Sequence, residues 1–185
     1  MAWIMLVVGL ALWSAVHLWK RVAPDHRASL GANGRAIAAV LLLVSLLLMI
    51  FGYRGADFIA LWSPPGFMIH INNLLMVLGL YVYLSTMAAP NLWIARIKHP
   101  QLTGFKIWTV AHLLVNGDLA SVLLFGGLLA WAVVNLIKIN KQDGPPVRSQ
   151  TAPIKSEIVM LAVGLAGFVA VAALHMAAGK WPFPG

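Results

Sequence analysis

The chain has no cysteine and only five acidic residues among 185. Without thiols there can be no disulfide, no iron–sulfur cluster and no thiolate-held metal. The acids are Asp25, Asp57, Asp118, Asp143 and Glu157, and none falls within a long apolar run. Proton pumps and cation transporters usually place a carboxylate at mid-membrane, so proton-coupled transport is disfavoured. Charged residues of both signs make up only 10% of the chain, against 61% hydrophobic. Those proportions exclude an ordinary soluble domain and predict an all-α, polytopic membrane helix bundle.

Five apolar runs are long enough to cross a bilayer: Ala2–Leu18, Ala36–Tyr53, Phe67–Ala89, Leu119–Ile137 and Ile158–Ala178. A crossing helix needs roughly 17–25 such residues. A shorter run, Phe105–Val115, lengthens if its helix starts near Gln101. The basic residues decide how to read it. Lys20, Arg21, Arg27 and Arg35 separate the first two segments. Arg96, Lys98 and Lys106 lie before or at the short run, and Lys138, Lys141, Arg148 and Lys155 precede the last segment. Only Arg54 and Lys180 are left for the opposite side. This alternation is a positive-inside pattern if the short run crosses as a fourth segment, and it fails otherwise. The expectation is six membrane segments in a cell inner membrane, with both termini outside the cytoplasm.

The net charge of +8 is then a topology signal. No basic stripe interleaved with aromatics marks a nucleic-acid-binding module; the expected partners of the lysines and arginines are anionic lipid headgroups. The N-terminal run has its charges after the apolar stretch, unlike a cleavable signal peptide. The chain reads as one domain over residues 1–185, with a flexible cytoplasmic loop at about 140–153. Trp62-Ser-Pro-Pro-Gly66 reads as a turn into the third segment, and Trp3, Trp62, Trp93 and Trp181 suit membrane interfaces. Ala162, Ala166 and Ala170, with Gly167 beside them, predict a small-residue face packed on a neighbouring helix.

The stretch Lys98–Asp118 concentrates the chemistry. His112 lies inside an apolar segment, where lipid supplies no partner for its ring nitrogens. Trp108 and Thr109 lie one turn before it and Asn116 one turn after, so this polar face should point into the bundle. Asn116-Gly117-Asp118 reads as a stop and restart, with Gly117 left-handed and Asp118 capping the next helix. His17 shares a face with Trp13 and Ser14, although snorkelling toward the interface near Lys20 would also explain it. His70 and Asn73 share a face at the start of the third segment. His99 precedes Pro100 and could cap the helix or bind an anion beside Lys98. His26 and His175 read as loop and interface residues. No His-x-x-x-His pair exists, so a zinc site is unsupported. Two histidines on different helices with aromatic neighbours fit an intramembrane haem better.

The blocks Trp13–His17, Lys98-His-Pro-Gln-Leu-Thr-Gly104 and Ala111-His-Leu-Leu-Val-Asn-Gly-Asp118 resemble the NnrU family of bacterial multi-pass membrane proteins. Its relatives include plant and algal zeta-carotene isomerase. The resemblance implies a link to nitrate and nitric-oxide respiration. From the isomerase branch it implies a haem b with His17 and His112 as axial ligands. Where that branch has a cysteine one turn before the second histidine, this chain has Thr109, so a thiolate alternative ligand is excluded. The implied roles are denitrification-related redox chemistry or cis–trans isomerisation of a polyene, with a nitrogen oxide or an apolar small molecule as partner. Two other readings stand beside these: a non-enzymatic accessory or assembly factor, and a membrane methyltransferase. The second rests on the likeness of Lys98-His-Pro100 to the Arg-His-Pro motif of isoprenylcysteine methyltransferases, which use S-adenosylmethionine.

Overall fold

A computed structural model describes residues 1–85, 97–144 and 153–184. Trp93, Arg96, Arg148 and most of the expected loop at 140–153 lie outside the described residues. Those described are helical apart from turns and one isolated backbone bridge, Ala60–Asp118. They form two compact units, Met1–Trp62 with Gly117–Asp143 and Ser63–Asn116 with Gly144–Gly185.

The first unit holds α1 (Ala2–Val22), α2 (Pro24–Ser29), α3 (Gly31–Gly55), α6 (Leu119–Ser121) and α7 (Gly127–Asp143). A π-helical stretch, Val122–Gly126, joins α6 to α7 and makes Leu119–Asp143 one continuous rod of 25 residues. Helices α1 and α3 run antiparallel and nearly touch. A Cβ built on Gly52 would fall 2.4 Å from the backbone nitrogen of Leu6, so only glycine fits there. Leu6 and Ser45 are fully buried in this seam. The Ser45 hydroxyl donates to the Leu42 carbonyl at 2.8 Å, which removes the cost of burying it. Along α1 and α7, Leu10 meets Gly127, Trp13 meets Trp131, and Arg21 meets Asp143, so these two helices are parallel. At their ends the Arg21 guanidinium donates twice to the Asp143 carboxylate, at 2.7 and 3.0 Å.

The second unit holds α4 (Met68–Leu84), α5 (Pro100–Val115) and α8 (Ile154–Ala177). Gly104, the last residue of the Lys98–Gly104 block, lets α5 press on α4: its Cβ would lie 2.6 Å from the Gly79 carbonyl oxygen. On the other side of α4, a Cβ on Gly164 of α8 would sit 3.1 to 3.2 Å from the backbone of Tyr81. Tyr81, Val82 and Met160 make the buried apolar core of this unit.

The packed face of α8 differs from the expected one. Ala162, Ala166 and Ala170 are exposed, while Glu157, Met160, Gly164 and Ala172 are buried. Closeness of approach goes with the choice, since opposite Tyr81 even a Cβ would be in tight contact, at 3.1 to 3.2 Å. Glu157 also departs from expectation: it stands in the first turn of α8, 4% exposed, and accepts a hydrogen bond from the Tyr81 hydroxyl. A carboxylate is therefore buried against an apolar helix after all.

Among the described residues, four helical stretches are long and apolar enough to cross a membrane: Ala2–Val22, Gly31–Gly55, Leu119–Asp143 and Ile154–Ala177. Large apolar side chains such as Val40, Phe51, Ile158 and Val169 project outward from them. An exterior of this kind fits a lipid surrounding. At 16 residues α5 is about 24 Å long, shorter than a hydrocarbon core of about 30 Å. The described part of α4 has 17 residues.

Candidate functional site

His17 and His112 are held by the same local device. In each, Nδ1 lies 2.9 Å from the carbonyl oxygen of the tryptophan four residues earlier, Trp13 and Trp108 respectively. A carbonyl only accepts, so Nδ1 carries the proton and Nε2 carries the lone pair. The same tryptophan lays its indole against the imidazole, with ring centroids 4.2 Å apart for Trp13–His17 and 5.2 Å for Trp108–His112. The helix thus orients both rings through its own backbone and the preceding turn.

In the first unit, α7 adds a third ring. Trp131 meets His17 edge-on at 4.7 Å and Trp13 at 5.5 Å, so the imidazole is wedged between two indoles. This favours a bundle-facing His17 over one snorkelling toward Lys20. Ser14 does not join the cluster, because its hydroxyl donates to the Leu10 carbonyl at 2.8 Å. The buried indole N–H of Trp13 has no acceptor among the described residues.

Asp118 lies in the same unit and does more than cap. One carboxylate oxygen accepts from the Ser121 backbone N–H at 2.9 Å, and the other from the Ser121 hydroxyl at 2.5 Å. The Tyr53 hydroxyl, on α3, is 2.9 Å from that serine oxygen. The resulting Tyr53–Ser121–Asp118 chain is largely buried and starts the rod that carries Trp131.

In the second unit, Asn116 closes α5 by binding back to His112. Its backbone N–H and its side-chain Nδ2 donate to the His112 carbonyl at 3.0 and 2.8 Å. Gly117 is not left-handed; positive φ occurs at Gly31, Gly144 and Gly179. Asn116 closes the helix in an extended conformation, with its own N–H and side chain on the His112 carbonyl. The chain instead leaves extended, and the Gly117 carbonyl accepts from Leu61 and Trp62 at 2.7 and 3.1 Å.

The remaining candidates are structural or peripheral. Asn73 donates to the Pro182 carbonyl at 3.1 Å and accepts from Asn72 at 3.0 Å, tying down the C-terminal tail. His70 is exposed on the first turn of α4. His99 occupies the N-cap of α5 without a side-chain cap bond, and the neighbouring Lys98 ammonium donates to the Gly144 carbonyl. His26 accepts from the Trp19 indole at 3.1 Å. Among the described residues no group of three or more His, Cys, Asp or Glu is arranged to hold a metal ion.

One residue was undervalued by its position. His175, in the last turn of α8, has its Nδ1 bound to the Val171 carbonyl at 2.8 Å and its ring centroid 6.4 Å from that of His112. Nothing in its apolar surroundings in the sequence marks it, because the contact joins residues 63 positions apart.

The family described as NnrU protein matches residues 5–182, nearly the whole chain. The chain belongs to the NnrU family. No curated protein and no solved structure matches it. The matched span includes the Lys98–Gly104 and Ala111–Asp118 blocks and the membrane-type helices. Haem, as implied by the isomerase relatives of NnrU proteins, can be tested against the donors present. Haem iron takes a neutral imidazole through one nitrogen while the other is hydrogen-bonded, often to a backbone carbonyl. His17 and His112 both meet that requirement. The unpartnered indole N–H beside His17 could also serve an acceptor atom of a bound group. The residues fit.

Proposed function

We propose that this NnrU-family chain is a multi-pass inner-membrane protein that binds haem b, with His17 and His112 as the candidate axial ligands. One observation carries the reading. Two histidines on different helices share a tryptophan four residues back, a fixed Nδ1 proton and a lone pair on Nε2. A packing histidine needs no such repetition, whereas a ligand needs its tautomer and ring plane set in advance.

The protein's own part is to hold and shield. Trp13 and Trp131 cover the imidazole of His17, and Trp108 lies against that of His112, so water is kept from the ring faces. Asn116 anchors the last turn of α5, which fixes the height of His112. Once bound, haem would supply an iron able to bind nitric oxide or to polarise a double bond. The corresponding roles are nitrogen-oxide metabolism and polyene isomerisation. With no thiol in the chain, ligation rests on imidazole alone.

The topology belongs to the same proposal: six crossings, both termini outside, and Lys20, Arg21, Lys98 and Lys141 on the cytoplasmic side. Parallel α1 and α7, joined at their basic ends by Arg21 and Asp143, support that arrangement. Because the chain lacks cysteine, single-cysteine accessibility can be mapped without altering any native residue beyond the probe. Labelling of both termini from the cytoplasmic side would reverse the assignment.

The deciding experiment is an absorption spectrum of protein purified from haem-replete cells, oxidised and reduced. A Soret band that disappears in His112→Ala is expected, and a colourless protein would sink the haem reading. The accessory-factor reading draws on the wedging of His17 between two indoles, which is also how a packing histidine sits. It expects a colourless protein whose phenotype survives His17→Ala and His112→Ala.

A further inference from the structure

We infer that Arg27, where α1, α2 and α3 meet, binds the phosphate of an anionic phospholipid headgroup. The inference is independent of haem and rests on the proposed function only in that α1 and α3 lie in a membrane. It goes beyond a general attraction of basic residues to anionic lipid. Recognition is assigned to one guanidinium and to the contacts that hold it.

Two long apolar helices set the level of this site. Helix α1 ends at Val22 and the antiparallel α3 starts at Gly31, and both are long and apolar enough to cross a membrane. Residues 23–30 therefore turn the chain at one membrane surface. The short helix α2 fills this turn and carries His26 and Arg27. Phosphate is the anion that such a surface offers in greatest density.

The guanidinium is fixed from two sides. Its Cζ lies over the Trp19 ring, 5.6 Å from the centroid, within reach of a cation–π contact. On α3 it fits against the buried Gly34, where a Cβ would fall 2.8 Å from Cζ and run into Nη1. Trp19 is itself oriented, since its indole N–H donates to His26 Nδ1 at 3.1 Å. Each of the three helices thus supplies one part. A long side chain has given up much of its freedom before any ligand arrives.

What this fixed group lacks is an acceptor. Arg21, in the same unit, donates to Asp143 and to Gln142. Arg27 is partly buried, yet its N–H donors have no hydrogen-bond or ion-pair partner among the described residues. Asp25, two residues earlier, is exposed and makes no ion pair with it. A guanidinium presents its donors as a planar fork that matches two oxygens of one phosphate. Lys20 and Arg35 adjoin Trp19 and Gly34 in sequence and are exposed, so the local field is positive. A choline headgroup would bring a further cation into that field, whereas a glycerol headgroup would not.

Binding is read by native mass spectrometry of the full chain in detergent, titrated with phosphatidylglycerol or phosphatidylcholine. The wild-type protein should retain one phosphatidylglycerol with about tenfold preference over phosphatidylcholine. Arg27→Lys keeps the charge without the fork and should lose most of that preference. Gly34→Ala removes no charge and suits a helix, but its Cβ displaces the guanidinium, so the preference should fall there too. Lys141→Gln deletes an exposed charge in the last turn of α7 and should keep the preference. A preference undiminished in either of the first two variants, or reduced as much by Lys141→Gln, overturns the site in favour of diffuse attraction. Excess inorganic phosphate should leave the lipid in place, and full displacement would overturn lipid as the occupant. A wild-type protein with no preference overturns the site alone; one that stays soluble without detergent overturns the membrane placement along with it.

Discussion

Asn116 holds the carbonyl of His112 with two donors, its backbone N–H at 3.0 Å and its side-chain amide at 2.8 Å. The residue that ends α5 therefore also stiffens the turn bearing the histidine. Helix ends leave carbonyls unsatisfied, and here a side chain of the helix's own C-cap supplies a donor.

Replacing Asn116 with Leu removes one of these donors and should cost about 1 kcal/mol. The effect should be local. Hydrogen exchange at the amides of residues 112–116 should quicken in Asn116→Leu while that of α4 stays as in the wild type.

Packing of α8 depends on which small residue is enlarged. Gly164→Val places atoms against the Tyr81 backbone, where even a Cβ would be only 3.1 to 3.2 Å away. About 1–3 kcal/mol of destabilisation is expected from such overpacking. Ala166→Leu, on the exposed face, should change stability by no more than about 0.5 kcal/mol. Thermal unfolding in detergent compares the two directly, and equal losses would contradict the seam described here.

The Tyr81–Glu157 bond places a hydroxyl donor on a buried carboxylate. Tyr81→Phe takes the donor away and leaves the acceptor, at a cost of about 1–3 kcal/mol. Glu157→Gln keeps an acceptor oxygen while removing the charge, and should cost less. Denaturation midpoints measured on the two variants should fall in that order.

Asp118 starts the rod from Leu119 to Asp143 by accepting from both the backbone and the hydroxyl of Ser121. Asp118→Ala should lose about 0.5–2 kcal/mol, and Asp118→Asn, which still accepts, should lose less. If the cap is what holds the rod's first turn, circular dichroism of the alanine variant will show a lower melting temperature with unchanged helix content at low temperature.

Local chemistry was readable in the sequence. Apolar runs located the helices, Pro100 marked the start of α5, and Asp118 marked the restart after it. The tryptophan–histidine pairs at 13–17 and 108–112 lie one turn apart, so helical periodicity alone brought them together. What escaped depends on contacts between distant parts of the chain. Trp131 reaches His17 across two helices, and Tyr53 reaches Ser121 over 68 residues. The alanine spacing resembles a packing motif, whereas α8 packs through Gly164, which lies close against the backbone of Tyr81. Glu157 looked like a loop residue because α8 begins at Ile154, four residues before the apolar run does.

The π-helical stretch Val122–Gly126 has a consequence for how this chain can change length. A π turn holds one residue more than an α turn, so everything beyond Gly127 is rotated by about 100° relative to an unbroken α-helix. Deleting any one of those five residues would leave a more regular helix. It would also swing Trp131 away from His17 and Asp143 away from Arg21. Substitutions in this stretch should therefore be tolerated where a gain or loss of a single residue is not, and natural variants of the chain should keep its length unaltered.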